Sequence, residues 1–197
     1  MLTKIAYSAR NLFCWAFVGN YWLFVAMEKP AEVYQKSVIE MDRIWVAAQF
    51  EALLPLAAEW VIEMERQILS EGVPLSEKEI VDATGAGVQQ PGRVRLLRVD
   101  SIPTPIHPQL KAAAEVIAFL TPATRGLTLQ YGIFIRSDCW RDRALIVHEL
   151  VHTAQYERLG GILPFLRKYL FECITTGYPE SPMEQEAITL VARICRE

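Results

Sequence analysis

Two histidines and a glutamate that lie close together in this sequence are the residues best suited to catalysis or metal binding. The chain has 3 histidines, and two of them are the first and last residues of the segment His148-Glu149-Leu150-Val151-His152, an HExxH pattern. On an α-helix, residues four positions apart lie on one face with β-carbons about 5–6 Å apart, so both imidazoles can reach one metal ion. The segment therefore predicts a metal site on a helix.

Zinc is the ion that suits this pattern. Two neutral imidazoles and one carboxylate give Zn²⁺ three protein ligands and leave a fourth position for water, whose pKa then falls to about 7. Glu149 would lie next to that water, take its proton during attack on a peptide carbonyl, and deliver the proton to the leaving amine. The alternative is a helix with two surface histidines and a solvated glutamate. Apolar residues at 144–147 and 150–151 favour a helix that lines a cleft.

Several elements must position this helix, which the pattern predicts over residues 139–159 before Gly160-Gly161 ends it. Residues 127–135, LTLQYGIFI, predict a strand or a tight hairpin whose edge could pair with an extended substrate. Ser76 and Glu79 form a capping-box pattern at the start of a short helix. A further strand is predicted over 93–102, and further helices over 110–120, 162–174 and 182–195.

The N-terminal part of the chain predicts long helices. Residues 31–70 contain no glycine and favour one helix or two, with Pro55 as the kink or the division. Residues 12–27 are apolar apart from Gly19 and Asn20. That run is short for a membrane span, so a buried or interfacial helix, a membrane anchor and a cleaved signal all remain open.

Composition excludes several classes of protein. With 20 basic and 23 acidic residues, the formal net charge of -3 leaves no excess of cations for a nucleic-acid partner. The 4 cysteines are far apart with no CxxC pair, which indicates reduced thiols and not a disulfide framework or a cysteine zinc site. We expect a predominantly helical α+β fold that forms one compact unit, in the cytoplasm or associated with a membrane through residues 12–27. Its expected parts are a helical segment at 1–70, a connector at 71–92 and a core at 93–197.

Residues 93–193 resemble the zincin metallopeptidases. The metzincin branch is a poor match, because its HExxHxxGxxH pattern needs glycine and histidine where this chain has Gln155 and Arg158. The chain is more similar to the gluzincins, whose third ligand is a glutamate on a later helix. This resemblance implies a minimal zincin-like core of short antiparallel strands, the HExxH helix and a ligand-bearing C-terminal helix. The segment HELVHTAQY is also similar to small bacterial HExxHxxQ domains, found among other places on contractile-injection-system proteins.

Two glutamates on the predicted last helix are candidates for the third ligand. The gluzincin resemblance implies Glu186, because alanine follows it, although Leu190 stands where thermolysin-like gluzincins carry an aspartate. Helical periodicity does not choose between Glu184 and Glu186, which flank the apolar stripe on opposite sides. The segment Ser181-Pro182-Met183-Glu184 predicts a capping box that would occupy Glu184. We therefore expect His148, His152 and Glu186 as the metal ligands.

A peptidase also needs a donor to stabilise the oxyanion of the tetrahedral intermediate. The sequence offers four candidates, Tyr156, Tyr169, Tyr178 and His107. Tyr178 in Gly-Tyr-Pro comes first among them, with a turn-packing ring as its alternative role. Together the residues predict a zinc-dependent metallopeptidase that acts on a peptide or protein, with Glu149 as general base. The alternative is a non-catalytic scaffold or effector-associated domain, either zinc-stabilised or metal-free.

Overall fold

The computed structural model describes residues 13–18, 21–26, 30–116 and 120–196. Helices predominate and a small mixed sheet completes an α+β fold, which confirms the predicted fold class. The chain divides into two compact units, Met1–Ile44 and Trp45–Glu197. The elements in chain order are β1 (Phe13–Val18), β2 (Tyr21–Ala26), α1 (Pro30–Glu71), β3 (Val73–Pro74), α2 (Glu77–Gly85), β4 (Arg95–Val99), α3 (Pro108–Val116), β5 (Gly126–Leu129), β6 (Gly132–Arg136), α4 (Arg143–Leu159), α5 (Ile162–Thr176) and α6 (Pro182–Ile194).

The expected helix in the apolar run at 12–27 is wrong, because the structure has two strands there. β1 and β2 pair antiparallel, with Phe13 opposite Ala26 and Val18 opposite Tyr21. Both strands are rich in aromatic and β-branched residues, which favour strands over helices. Residues 19 and 20 between them lie outside the described residues. Within the described part of the chain, no helix combines the length and apolarity that a membrane crossing requires.

Helix α1 is a single helix of 42 residues that contains Pro55. Of the two predicted arrangements, one helix or two, the first is therefore confirmed. Pro30 is its first residue, where the missing proline N–H removes no helical hydrogen bond. The division between the two units lies inside α1, at Ile44 and Trp45. An uninterrupted helix gives no sequence signal of this division, which the expected segments 1–70, 71–92 and 93–197 do not include.

The sheet of the second unit has the strand order β3-β4-β6-β5. The pairs β3–β4 and β5–β6 are antiparallel, as expected for short strands, while β4 and β6 are parallel. The predicted hairpin turns at Gln130 and Tyr131, where Gln130 adopts a left-handed φ of 59°. β5 therefore forms one edge of the sheet.

Helix α4 packs against this sheet and carries the HExxH segment. Ile133 and Ile135 of β6 share a buried cluster with Val147 and Leu150 of α4, while Phe134 packs on the opposite face. Asp142 caps the helix by accepting a hydrogen bond from Leu145 N at 3.1 Å, and a left-handed Gly160 ends it. The predicted capping box of Ser76 and Glu79 on α2 is also confirmed. The core thus holds one face of α4 against the sheet along the whole HExxH segment.

Candidate metal centre

Three side chains from two helices converge on one point and form a group that could hold a metal ion. His148 and His152 come from α4, and Glu184 comes from the first turn of α6. The two Nε2 atoms lie 3.1 Å apart. Glu184 Oε2 is 3.2 Å from His148 Nε2, and Glu184 Oε1 is 3.1 Å from His152 Nε2.

The spacing and the donor types of this group are those of a metal site. Its imidazole nitrogens and carboxylate oxygens lie 3.1–3.2 Å apart, close enough for one ion to contact all three residues. Imidazole and carboxylate are both ligands of divalent metal ions in proteins. The three residues can therefore hold one metal ion.

The structure corrects the choice of third ligand, because Glu186 lies elsewhere. Arg158 holds Glu186 through two hydrogen bonds of 2.8 and 2.7 Å, and Gln155 Nε2 donates to Oε2 of Glu186 at 3.0 Å. Glu184 is 3% exposed and faces the two imidazoles. Glu186 therefore pairs with Arg158 of α4 and does not belong to the group of possible metal ligands.

The predicted capping box at the start of α6 is wrong. This box was the reason for choosing Glu186 over Glu184 as the third ligand. The Ser181 side chain makes no capping hydrogen bond. Glu172 of α5 takes that role instead, because its Oε2 accepts a hydrogen bond from Met183 N at 3.0 Å. A residue remote in sequence therefore satisfies the helix terminus and leaves the Glu184 carboxylate available.

Gln155 supports His152 in a way that the residue types alone did not predict. His152 Nδ1 lies 2.8 Å from Gln155 Oε1, and Gln155 Nε2 donates to Met183 O and to Glu186. These two donations place the amide oxygen toward the histidine, so Nδ1 carries the proton and Nε2 is the nitrogen available to a metal. The glutamine of the HExxHxxQ segment was the available sequence signal. Gln155 is fully buried and links α4 to α6 beside the metal group.

Tyr169 is buried beside the site and forms a hydrogen bond with Glu184, the third possible ligand. Its Oη donates to Glu184 Oε1 at 2.5 Å, so this candidate oxyanion donor is instead a buried partner of the carboxylate. Burial and the nearby Glu184 raise the pKa of Tyr169. Burial opposes ionisation of Glu184, but the adjacent imidazoles of His148 and His152 and the Tyr169 hydroxyl outweigh it and lower the pKa of Glu184. The carboxylate is therefore ionised, as a metal ligand must be.

Glu149 is buried next to the three possible ligands. Glu149 is part of the wall of an inner cavity that His148, His152 and Glu184 also line. Only 5% of Glu149 is exposed, and Thr128 Oγ1 on β5 donates to Glu149 Oε2 at 2.6 Å. The predicted general base thus lies at the site, on the side of α4 that faces the edge strand.

A cleft of about 470 Å³ opens above the site, and Tyr178 forms part of its wall together with His148 and Glu149. Of the four candidate oxyanion donors, Tyr178 is the one that lines this cleft. Burial and the nearby Glu184 raise the pKa of Tyr178, so its phenol stays protonated at neutral pH. Tyr156 lines the inner cavity and stacks on Phe165, which leaves it a packing role.

Replacing Gln155 by alanine is expected to weaken metal binding about 10–100-fold, because His152 loses the acceptor that orients its ring. Competition with a chromophoric chelator measures this change in affinity. Gln67→Ala, at an exposed position on α1, is the matched control and should bind metal as the unmodified protein does. Equal affinities in Gln155→Ala and the control would contradict the orienting role.

The chain was compared with models of known protein families, with curated proteins and with solved structures, and no match was found. The assignment of a function to this site therefore depends on its residues and their geometry.

Proposed function

We propose that this protein is a zinc-dependent metallopeptidase in which His148, His152 and Glu184 hold the ion and Glu149 is the general base. The observation that carries the proposal is the buried residue Glu149, which lines one cavity with all three possible ligands. A purely structural zinc site is closed by four protein ligands and has no use for a further carboxylate beside it. The combination supports a hydrolytic role over a structural one.

Each side chain then has a definite task in hydrolysis. When bound, Zn²⁺ would supply Lewis acidity, which lowers the pKa of water and polarises a carbonyl group. Glu149 takes a proton from water as the oxygen bonds to the peptide carbonyl carbon. It then gives that proton to the amide nitrogen as the carbon–nitrogen bond breaks. The protonated phenol of Tyr178 can donate to the carbonyl oxygen as negative charge develops there.

The edge strand β5 supports a peptide substrate. Arg136 N donates to Arg125 O at 2.9 Å, so the paired positions on this strand alternate from Arg125 to Leu127 and Leu129. The backbone groups of Gly126 and Thr128 consequently point away from β6. Gly126 also lines the cleft, so an extended peptide can add to the sheet next to Glu149.

Metal analysis and hydrolysis measured together test this function. We expect one zinc per chain in the purified protein, loss of zinc in His152→Ala, and cleavage of a mixed peptide library by the unmodified protein. A chelator should abolish the cleavage, and added Zn²⁺ should restore it. Zinc without cleavage would favour the scaffold function instead. One iron per chain would also contradict the proposal, because two histidines and a carboxylate suit Fe²⁺ oxygenases as well.

A further inference from the structure

Two residues of β5 contact the Glu149 carboxylate from outside the HExxH segment. We propose that Thr128 and Gly126 are positioning residues, which fix the Glu149 carboxylate in the orientation needed for proton transfer. This inference rests on the proposed function, since it takes Glu149 as the general base. It adds two residues from a strand that lies outside the HExxH helix.

Thr128 fixes one oxygen of the carboxylate. Its side chain is buried, and Oγ1 lies 2.6 Å from Glu149 Oε2 and 2.9 Å from the Glu149 backbone oxygen. The shorter distance is typical of a hydroxyl that donates to a carboxylate. This bond occupies Oε2, so Oε1 is the oxygen that remains to accept the proton of water.

Gly126 limits where that second oxygen can lie. A β-carbon at residue 126 would lie 2.5 Å from Glu149 Oε1 and 2.9 Å from Cδ, whereas ordinary contact begins near 3.4 Å. Gly126 pairs with Ile135 in the sheet, so its backbone has little room to retreat. The carboxylate therefore lies directly against the strand backbone, in space that only glycine leaves.

Both residues lie on the strand whose outer edge would bind the substrate. The backbone of β5 is fixed by its pairing with β6. A carboxylate held by this strand keeps a constant position relative to a peptide paired with the same strand. Base and substrate thus share one rigid element, which is the arrangement that proton transfer in a fixed geometry needs.

Three substitutions in the zinc-loaded protein test the proposal. A methyl group at Gly126→Ala must displace Oε1 by about 1 Å, and Thr128→Val removes the hydroxyl at nearly constant volume. Because a misplacement of about 1 Å can cost about 10²-fold, both variants should lower kcat by about 10–100-fold with KM little changed. Thr128→Ser keeps the hydroxyl and should retain most of the activity. Gly92→Ala is the control, since a β-carbon there meets no atom within 4 Å.

Crystal structures of the metal-free variants give a second measurement that does not depend on activity. Glu149 should be displaced in Gly126→Ala and Thr128→Val, and unchanged in Thr128→Ser and Gly92→Ala. An unmoved carboxylate in Thr128→Val, or a serine variant as inactive as the valine variant, would overturn the inference. Absence of hydrolysis in the unmodified protein would contradict the proposed function alone, because the carboxylate positions still test the contacts.

Discussion

Glu149→Gln is expected to keep one zinc per chain while peptide hydrolysis falls about 10²–10⁴-fold. Glutamine has the same shape as glutamate, and its amide cannot accept and return the proton that hydrolysis requires. The three possible ligands, His148, His152 and Glu184, are untouched by the change. Zinc content by mass spectrometry and initial rates on one peptide substrate, measured on the same preparation, check both parts.

Two comparisons make the Glu149 result specific. Glu63→Gln, the same change at an exposed position on α1, should have full activity and full zinc content. Zinc loss in Glu149→Gln would mean that Glu149 helps to bind the ion. Unchanged hydrolysis in that variant would assign the measured cleavage to a contaminating protease.

Glu184→Ala is expected to abolish zinc binding at micromolar metal, whereas Glu186→Ala should keep the zinc. Glu184 supplies the carboxylate oxygens that lie 3.1–3.2 Å from the two imidazole nitrogens. Its removal leaves two ligands, which is one fewer than the three that catalytic zinc sites use. Glu186 pairs with Arg158, whose side chain is 56% exposed, and exposed pairs contribute about 1 kcal/mol or less.

Equilibrium dialysis of both variants against buffered micromolar Zn²⁺ measures this difference. Circular dichroism and a thermal melt on each metal-free variant establish that the fold persists, so that zinc loss is not a consequence of unfolding. Glu186→Ala serves as the matched control, since it removes the same carboxylate two residues along the same helix. Exchanged phenotypes would return Glu186 to the ligand position that the sequence alone indicated.

The HExxH helix and its three polar residues were predictable from the sequence because their relations are local. His148 and His152 are four residues apart, so any α-helix brings them together, and Glu149 follows from the same helical geometry. The capping box of Ser76 and Glu79 and the hairpin turn at Gln130 and Tyr131 are likewise encoded within a few residues. Local patterns failed at 12–27, because an apolar run of that length favours a helix or two strands almost equally.

The third ligand and the supports of the site depended on tertiary structure. Glu184 and Glu186 flank the buried stripe of α6 about equally, so their roles depend on how α6 is rotated against α4. Partners remote in sequence set that rotation: Arg158 holds Glu186, and Glu172 caps the helix in place of Ser181. Thr128 and Glu149 are 21 residues apart in sequence. They meet because β5 packs against α4, and no local sequence pattern predicts that contact. Sequence periodicity gives the face on which a residue lies, whereas the neighbour that the face meets is decided by long-range packing.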